Sequence, residues 1–290
     1  MVLSRLSFRL RAGVVAMCVA GVGALFTTGG SNAVASNGRL YLALGDSVAF
    51  GFITQAGFEY GNPHNFRSYS DYASDEVGFQ VTNASCPGEA TTGFLSSTGA
   101  DNGCRSFRAN APLHVSYTGT QMAFAASFLQ SHSSTQLVTI GLGANDLFLL
   151  QNACAGDLTC IQNGLPATLH TIAVDMNTIL GNIRTAGFKG VLEVVNYYSL
   201  DYTDAVGTTI TQALNQAETS SAAAHGAVVA DVFTAFHNAA SAAGGHTCVA
   251  GLLNAAPSNQ LTCDVHPSQS GQALMAQTVE TTYFAAGGAG

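Results

Sequence analysis

Four short segments of the chain carry side chains suited to acyl transfer. Gly45-Asp46-Ser47 follows the apolar run 40–44 and offers a hydroxyl. Asp264-Val265-His266-Pro267 offers an imidazole with a carboxylate two residues before it. Gly143-Ala144-Asn145-Asp146 offers a side-chain amide, and Cys86-Pro87-Gly88-Glu89 offers a glycine whose backbone N–H is open to close approach. A serine hydroxyl is a weak nucleophile until a base removes its proton, and a neutral imidazole suits that task near neutral pH. Attack on an ester carbonyl gathers negative charge on one oxygen, and preorganised donors lower that barrier. The backbone N–H groups of Ser47 and Gly88 and the amide of Asn145 are the candidate donors. Each segment also has an ordinary reading. Ser47 suits a turn or a helix N-cap, and Pro87-Gly88 is a frequent turn pair. Asp46 reads as a loop support rather than a participant.

Such groups act together only if the fold brings them together. Residues 40–44, 79–83, 137–142, 191–196 and 227–232 are short apolar runs that stop at Gly, Asn, Asp or Ser, the pattern of buried parallel strands. Between them, 68–76, 119–130, 166–186 and 208–224 read as amphipathic helices, and a last helix is expected from about 268 to 283. Alternating strands and helices of this length call for an α/β fold, a three-layer α/β/α sandwich around a parallel sheet. In such sheets ligands sit beyond the carboxyl ends of the strands, where the polar clusters fall. The Gly/Ser/Asn-rich stretches 84–118 and 151–165 read as loops.

The first residues are read separately. Arg5, Arg9 and Arg11 precede an apolar stretch, and Ala33-Val34-Ala35 supplies a cleavage-site pattern, so residues 1–35 are expected to be a secretory signal peptide. That leaves 36–290 as one domain, a secreted, extracellular protein without a stable membrane anchor. The whole chain has a formal net charge of −8, and removing three arginines leaves 6 basic against 17 acidic residues, or −11. A nucleic-acid partner requires a basic footprint that is missing here. Nothing in the pattern indicates an oligomer, so a monomer is the default expectation.

Of seven cysteines, six lie after the leader: Cys86, Cys104, Cys154, Cys160, Cys248 and Cys263. An even number in an exported chain argues for disulfides, which six cysteines can form in fifteen ways. Sequential pairing, 86–104, 154–160 and 248–263, is expected because each pair brackets a loop-like segment. There is no C-x-x-C pair and no cluster of histidines, so neither a metal nor a cofactor is expected.

Taken in order, the four blocks resemble the SGNH (GDSL-type) hydrolases, secreted bacterial esterases and lipases, across nearly the whole chain after the leader. The resemblance implies a flavodoxin-like fold, Ser47 as nucleophile, His266 as base, and Ser47, Gly88 and Asn145 as the oxyanion hole. It departs at one point. The family places its acid three residues before the histidine, where this chain has Cys263, so either Asp264 or a backbone carbonyl near Cys263 orients the imidazole. The implied activity is hydrolysis of small-molecule or lipid esters. A polysaccharide O-acetyl esterase, a phospholipase and a non-catalytic binding protein on the same scaffold are the alternatives. The apolar residues after Ser47, and the lack of Trp, favour lipid-like acyl esters.

Overall fold

The computed structural model describes residues 38–54, 56–256 and 259–289. The leader expected over 1–35 lies outside the described residues. The expected strands form where short apolar runs meet Gly, Asn or Ala. β1 (Arg39–Gly45), β2 (Phe79–Asn83), β3 (Thr135–Gly141), β4 (Val191–Val195) and β5 (Ala227–Ala230) make one parallel sheet in the order β2-β1-β3-β4-β5. The chain passes from β1 to β2 on one side and then crosses to β3 on the other. The order therefore reverses at β1/β3, which opens a crevice beyond the carboxyl ends of those strands. The register pairs Gly45 with Gly141, so both chains leave the sheet at one level.

Besides four short 3-10 turns, ten α-helices among the described residues link or cover these strands. They are α1 (Ser47–Phe50), α2 (Tyr69–Val77), α3 (Thr91–Leu95), α4 (Cys104–Asn110) and α5 (Gln121–Ser131), followed by α6 (Ala144–Ala153), α7 (Leu158–Thr185), α8 (Ala205–Thr219), α9 (Val232–Ala240) and α10 (Gln269–Ala285). α2, α9 and α10 pack together on one face of the sheet, while α5, α7 and α8 pack together on the other. The result is the expected three-layer sandwich. α7 shows why the layer is stable. Ile172, Met176, Ile179, Leu180 and Ile183 recur at helical spacing and are fully buried, each contributing about 1.5–3 kcal/mol by leaving water.

Three segments differ from the sequence-based expectation, the first being 84–118, which reads as loop in the sequence but carries α3 and α4. The stretch 151–165 is mostly helical, because α6 runs on to Ala153 and α7 starts at Leu158 under an Asp157 cap that accepts the Cys160 N–H at 2.7 Å. Pro166 therefore lies inside α7 rather than at its start. Residues after 250 form an antiparallel hairpin, β6 (Leu253–Ala256) and β7 (Asn259–Pro267), which delivers the segment around His266. The six cysteines pair sequentially, with S–S distances of 2.07 Å for 86–104, 1.97 Å for 154–160 and 2.03 Å for 248–263. No helix among the described residues is long and apolar enough to cross a membrane.

Candidate active site

Ser47 stands at the exit of β1 because the chain turns there at Gly45, whose φ is +138°. A side chain at Gly45 would come within 2.5 Å of the Gly141 carbonyl, so only glycine lets β1 and β3 approach this closely. Asp46 then caps α1, its Oδ1 accepting the Val48 N–H at 2.9 Å, which leaves Ser47 as the first residue of a short helix. The Asp46 carboxylate is buried and accepts two more bonds, from the Tyr197 hydroxyl and, at 3.2 Å, from Asn145 Nδ2. Burial raises this carboxyl to about 6, with the bonds from Tyr197 and Val48 pulling it back. Asp46 thus supports the turn, as its sequence position suggests.

Asn145 sits in the first turn of α6, at the exit of β3 beside β1. Its Oδ1 accepts from Asn102 Nδ2 at 3.0 Å, which fixes the amide so that Nδ2 is the end near Asp46 and Ser47. One of the two Nδ2 hydrogens is left over for a ligand. Asn102 also donates its backbone N–H to the Gly88 carbonyl at 2.8 Å, and Cys86 N–H donates to the Gly45 carbonyl at 3.0 Å. The loop carrying Gly88 is therefore tied both to the end of β1 and to Asn145. Gly88 has φ +85°, and a Cβ there would strike the Asn102 carbonyl at 2.5 Å, so the loop demands glycine.

His266 lies near the end of β7, and its Nε2 is 3.0 Å from Ser47 Oγ. Its Nδ1 faces Asp264 Oδ1 at 3.2 Å and Thr54 Oγ1 at 3.3 Å. Asp264 Oδ1 also accepts the His266 backbone N–H at 2.6 Å, and Thr54 donates its hydroxyl to Oδ2. Burial pushes the Asp264 carboxyl up, but the side-chain bonds with His266 and Thr54 outweigh it and hold the group below the usual range. The imidazole is also held from outside its own loop. Tyr198 donates its hydroxyl to the Val265 carbonyl, the Cys248–Cys263 disulfide braces β7, and the Phe52 ring lies 5.0 Å from the imidazole.

Ser47, Asn145 and His266 open onto one cavity of about 430 Å³. Past those polar groups its walls are largely apolar: Leu147, Phe148 and Leu150 of α6, Ile161 and Leu165 of α7, and Ile210 and Leu214 of α8. Gly88 is not among its lining residues. The aromatics that follow Ser47 lie elsewhere. Phe50, Phe52, Tyr60 and Phe66 pack on one another and on Phe107 beside the Cys86–Cys104 disulfide, and none of them lines the cavity, although Phe52 backs the His266 ring. Cys86, Glu89 and Cys104 form the one candidate metal-ligand cluster found among the described residues. Its two sulfurs are bonded to each other and offer no thiolate.

A family model described as GDSL-like Lipase/Acylhydrolase matches residues 43–274, a span that starts inside β1 and ends after His266. The chain belongs to this GDSL-like family. A search of curated proteins finds no match. Solved structures with the same fold include the lipase Lip_vut3 from a goat rumen metagenome. It is 15% identical, with a TM-score of 0.52, and the alignment covers 84% of this chain and 98% of that one. Another is phospholipase A1 from Streptomyces albidoflavus NA297, 17% identical, with a TM-score of 0.53 over 85% of this chain and 99% of that one. Family membership makes this chain a hydrolase of the esterase/lipase kind, with a small-molecule ester as the substrate class. Thr54, Asn102 and Tyr197 are the contributors that sequence reasoning missed. Of these, only Tyr197 had a signal, its place at the exit of β4.

Proposed function

We propose that this GDSL-like hydrolase is a secreted serine esterase that cleaves lipid-like acyl esters at Ser47. The observation that carries the proposal is the 3.0 Å contact from Ser47 Oγ to His266 Nε2 at the polar end of a largely apolar cavity. His266 Nε2 takes the proton as Ser47 Oγ bonds to the ester carbonyl carbon. The tetrahedral oxyanion is met by the Ser47 N–H, the Gly88 N–H and the free hydrogen of Asn145 Nδ2. His266 then gives its proton to the departing alcohol, which leaves an acyl group on Ser47. Water, deprotonated by His266, attacks that acyl group and releases the acid. Asp264 holds the Nδ1–H tautomer and steadies the imidazolium, with Thr54 fixing the carboxylate.

The cavity favours long acyl groups over acetyl. α8 alone walls it from Gly207 to Leu214, about 10 Å of helix, a length that an acetyl group would leave unfilled. This weighs against a polysaccharide O-acetyl esterase. Secretion is supported by three disulfides, which persist in oxidising compartments. The test is hydrolysis of p-nitrophenyl esters from acetyl to palmitoyl by the protein and by Ser47→Ala. Activity that rises with acyl length and vanishes in the variant is the expected result. Activity that survives the substitution would remove Ser47 from the mechanism, and a preference for acetyl would remove the cavity from it.

A further inference from the structure

We propose that the face around the cavity mouth docks onto the surface of electrically neutral lipid aggregates, so that acyl chains pass into the cavity without crossing water. The inference rests on the acyl-ester reading of the Ser47 site and adds the physical form in which the substrate is met.

Among the described residues seven large hydrophobic side chains are exposed; three of them line the cavity or adjoin residues that do, and two more stand next to residues tied to the His266 segment. Leu158 and Leu200 are 73% and 46% exposed, yet both line the cavity, so the cavity reaches solvent where they stand. Val206, 68% exposed, lies between Asp204 and Gly207, which also line it. Val249, 73% exposed, follows Cys248, whose disulfide partner Cys263 lies three residues before His266. Ile53 precedes Thr54, which bonds Asp264. Single exposed apolar residues are ordinary, whereas a group around one opening marks an interaction surface.

The group is held rigidly. Leu158 stands at the tip between α6 and α7, which the Cys154–Cys160 disulfide closes and Asp157 caps. Val206 is in the first turn of α8, its N–H accepted by Asp204 Oδ1 at 3.1 Å. A fixed apolar rim loses little conformational freedom on docking.

Charge selects the occupant. The six Lys and Arg side chains of the described residues lie on other segments. Arg67 and Arg105 pair with Asp75 and Asp101, Arg108 covers Tyr117, Arg184 bonds carbonyls around Gly190 and Gly226, Arg39 begins β1, and Lys189 precedes β4. The rim instead carries Asp157, Asp201 and Asp204, of which Asp201 is paired with His246 at 2.9 Å. A surface without cations and with several carboxylates repels anionic lipid. A zwitterionic or uncharged surface meets the apolar rim without that penalty.

The test uses Ser47→Ala protein, which binds without turnover, in flotation with phosphatidylcholine vesicles and with vesicles that also contain phosphatidylglycerol. The protein should float with the neutral vesicles and less with the anionic ones. Val206→Asp with Val249→Asp, neither of which lines the cavity, should weaken vesicle binding by roughly tenfold or more. With Ser47 restored, the same pair should keep hydrolysis of dissolved p-nitrophenyl acetate and lose hydrolysis of an emulsified long-chain ester. Equal flotation of the double variant, no flotation of the parent, or preference for anionic vesicles would overturn the proposal. So would a dimer in sedimentation that the double variant dissociates, because a second copy would then cover the face. Vesicle binding by a protein that cleaves no ester would uphold the docking face and remove the esterase reading alone.

Discussion

Glu89, one residue past Gly88, is almost fully buried beside the Cys86–Cys104 disulfide, within 3.4 Å of Gln121 Nε2. Gln121 in turn holds both backbone groups of Gly45, accepting its N–H at 2.7 Å and donating to its carbonyl at 3.0 Å. Burial, with the nearby charge of Asp101, raises the Glu89 carboxyl from 4.5 to about 8. The folded protein therefore keeps a proton that the unfolded chain releases. Because the folded value lies above the unfolded one, the stabilisation is complete below about pH 4.5 and drains away as pH rises towards 8. Unfolding releases close to one proton across that window, a slope of about 1.4 kcal/mol per pH unit. From pH 5 to pH 8 the loss comes to about 3 kcal/mol. Glu89→Gln keeps the shape, keeps an acceptor for Gln121 and removes the titration. Guanidinium unfolding with the disulfides intact should give similar stabilities for the two proteins at pH 5. At pH 8 the variant should be the more stable by about 3 kcal/mol. A difference that stays flat with pH would refute a protonated Glu89 behind the Gly88 loop.

Three further outcomes follow from the site. Asn145→Ala should lower kcat by ~10²–10³, the usual cost of one oxyanion donor, while far-UV circular dichroism stays unchanged. Ile210→Trp, which fills the cavity between α6 and α8, should cut the palmitate-to-acetate ratio of kcat/KM by roughly tenfold or more, as measured on p-nitrophenyl esters. Thr54→Val, which frees the outer oxygen of Asp264, should lower kcat with little change in KM, and Thr54→Ser should restore it. Equal loss in both Thr54 variants would point to packing rather than to the hydroxyl.

The inner strands β1, β3 and β4 were legible because they are buried on both faces and therefore read as largely apolar runs. The run 137–142 and β3 (Thr135–Gly141) differ only at their ends. The crevice followed from the strand exits, which is why Ser47 and Asn145 could be paired from sequence alone. Helix starts were harder. The helix was expected to begin at Pro166, but the Asp157 side chain caps it nine residues earlier, so Pro166 falls in the third turn, where its ring forgoes one backbone hydrogen bond. The β6–β7 hairpin escaped notice because Leu253–Ala256 has neither β-branched residues nor clear alternation, and its place is fixed by a disulfide and by the helix that follows. Thr54 and Asn102 had no local signature at all. Thr54 meets Asp264 across 210 residues and Asn102 meets Asn145 across 43, and no periodicity records contacts of that kind.

The central claim is that His266 activates Ser47 as the nucleophile. It is tested most directly by treating the protein with a p-nitrophenyl alkylphosphonate and mapping the adduct by mass spectrometry. The account predicts one phosphonyl group, on Ser47, appearing in step with loss of esterase activity and forming far more slowly in His266→Ala. An adduct on another residue, or inactivation with Ser47 unmodified, would contradict it.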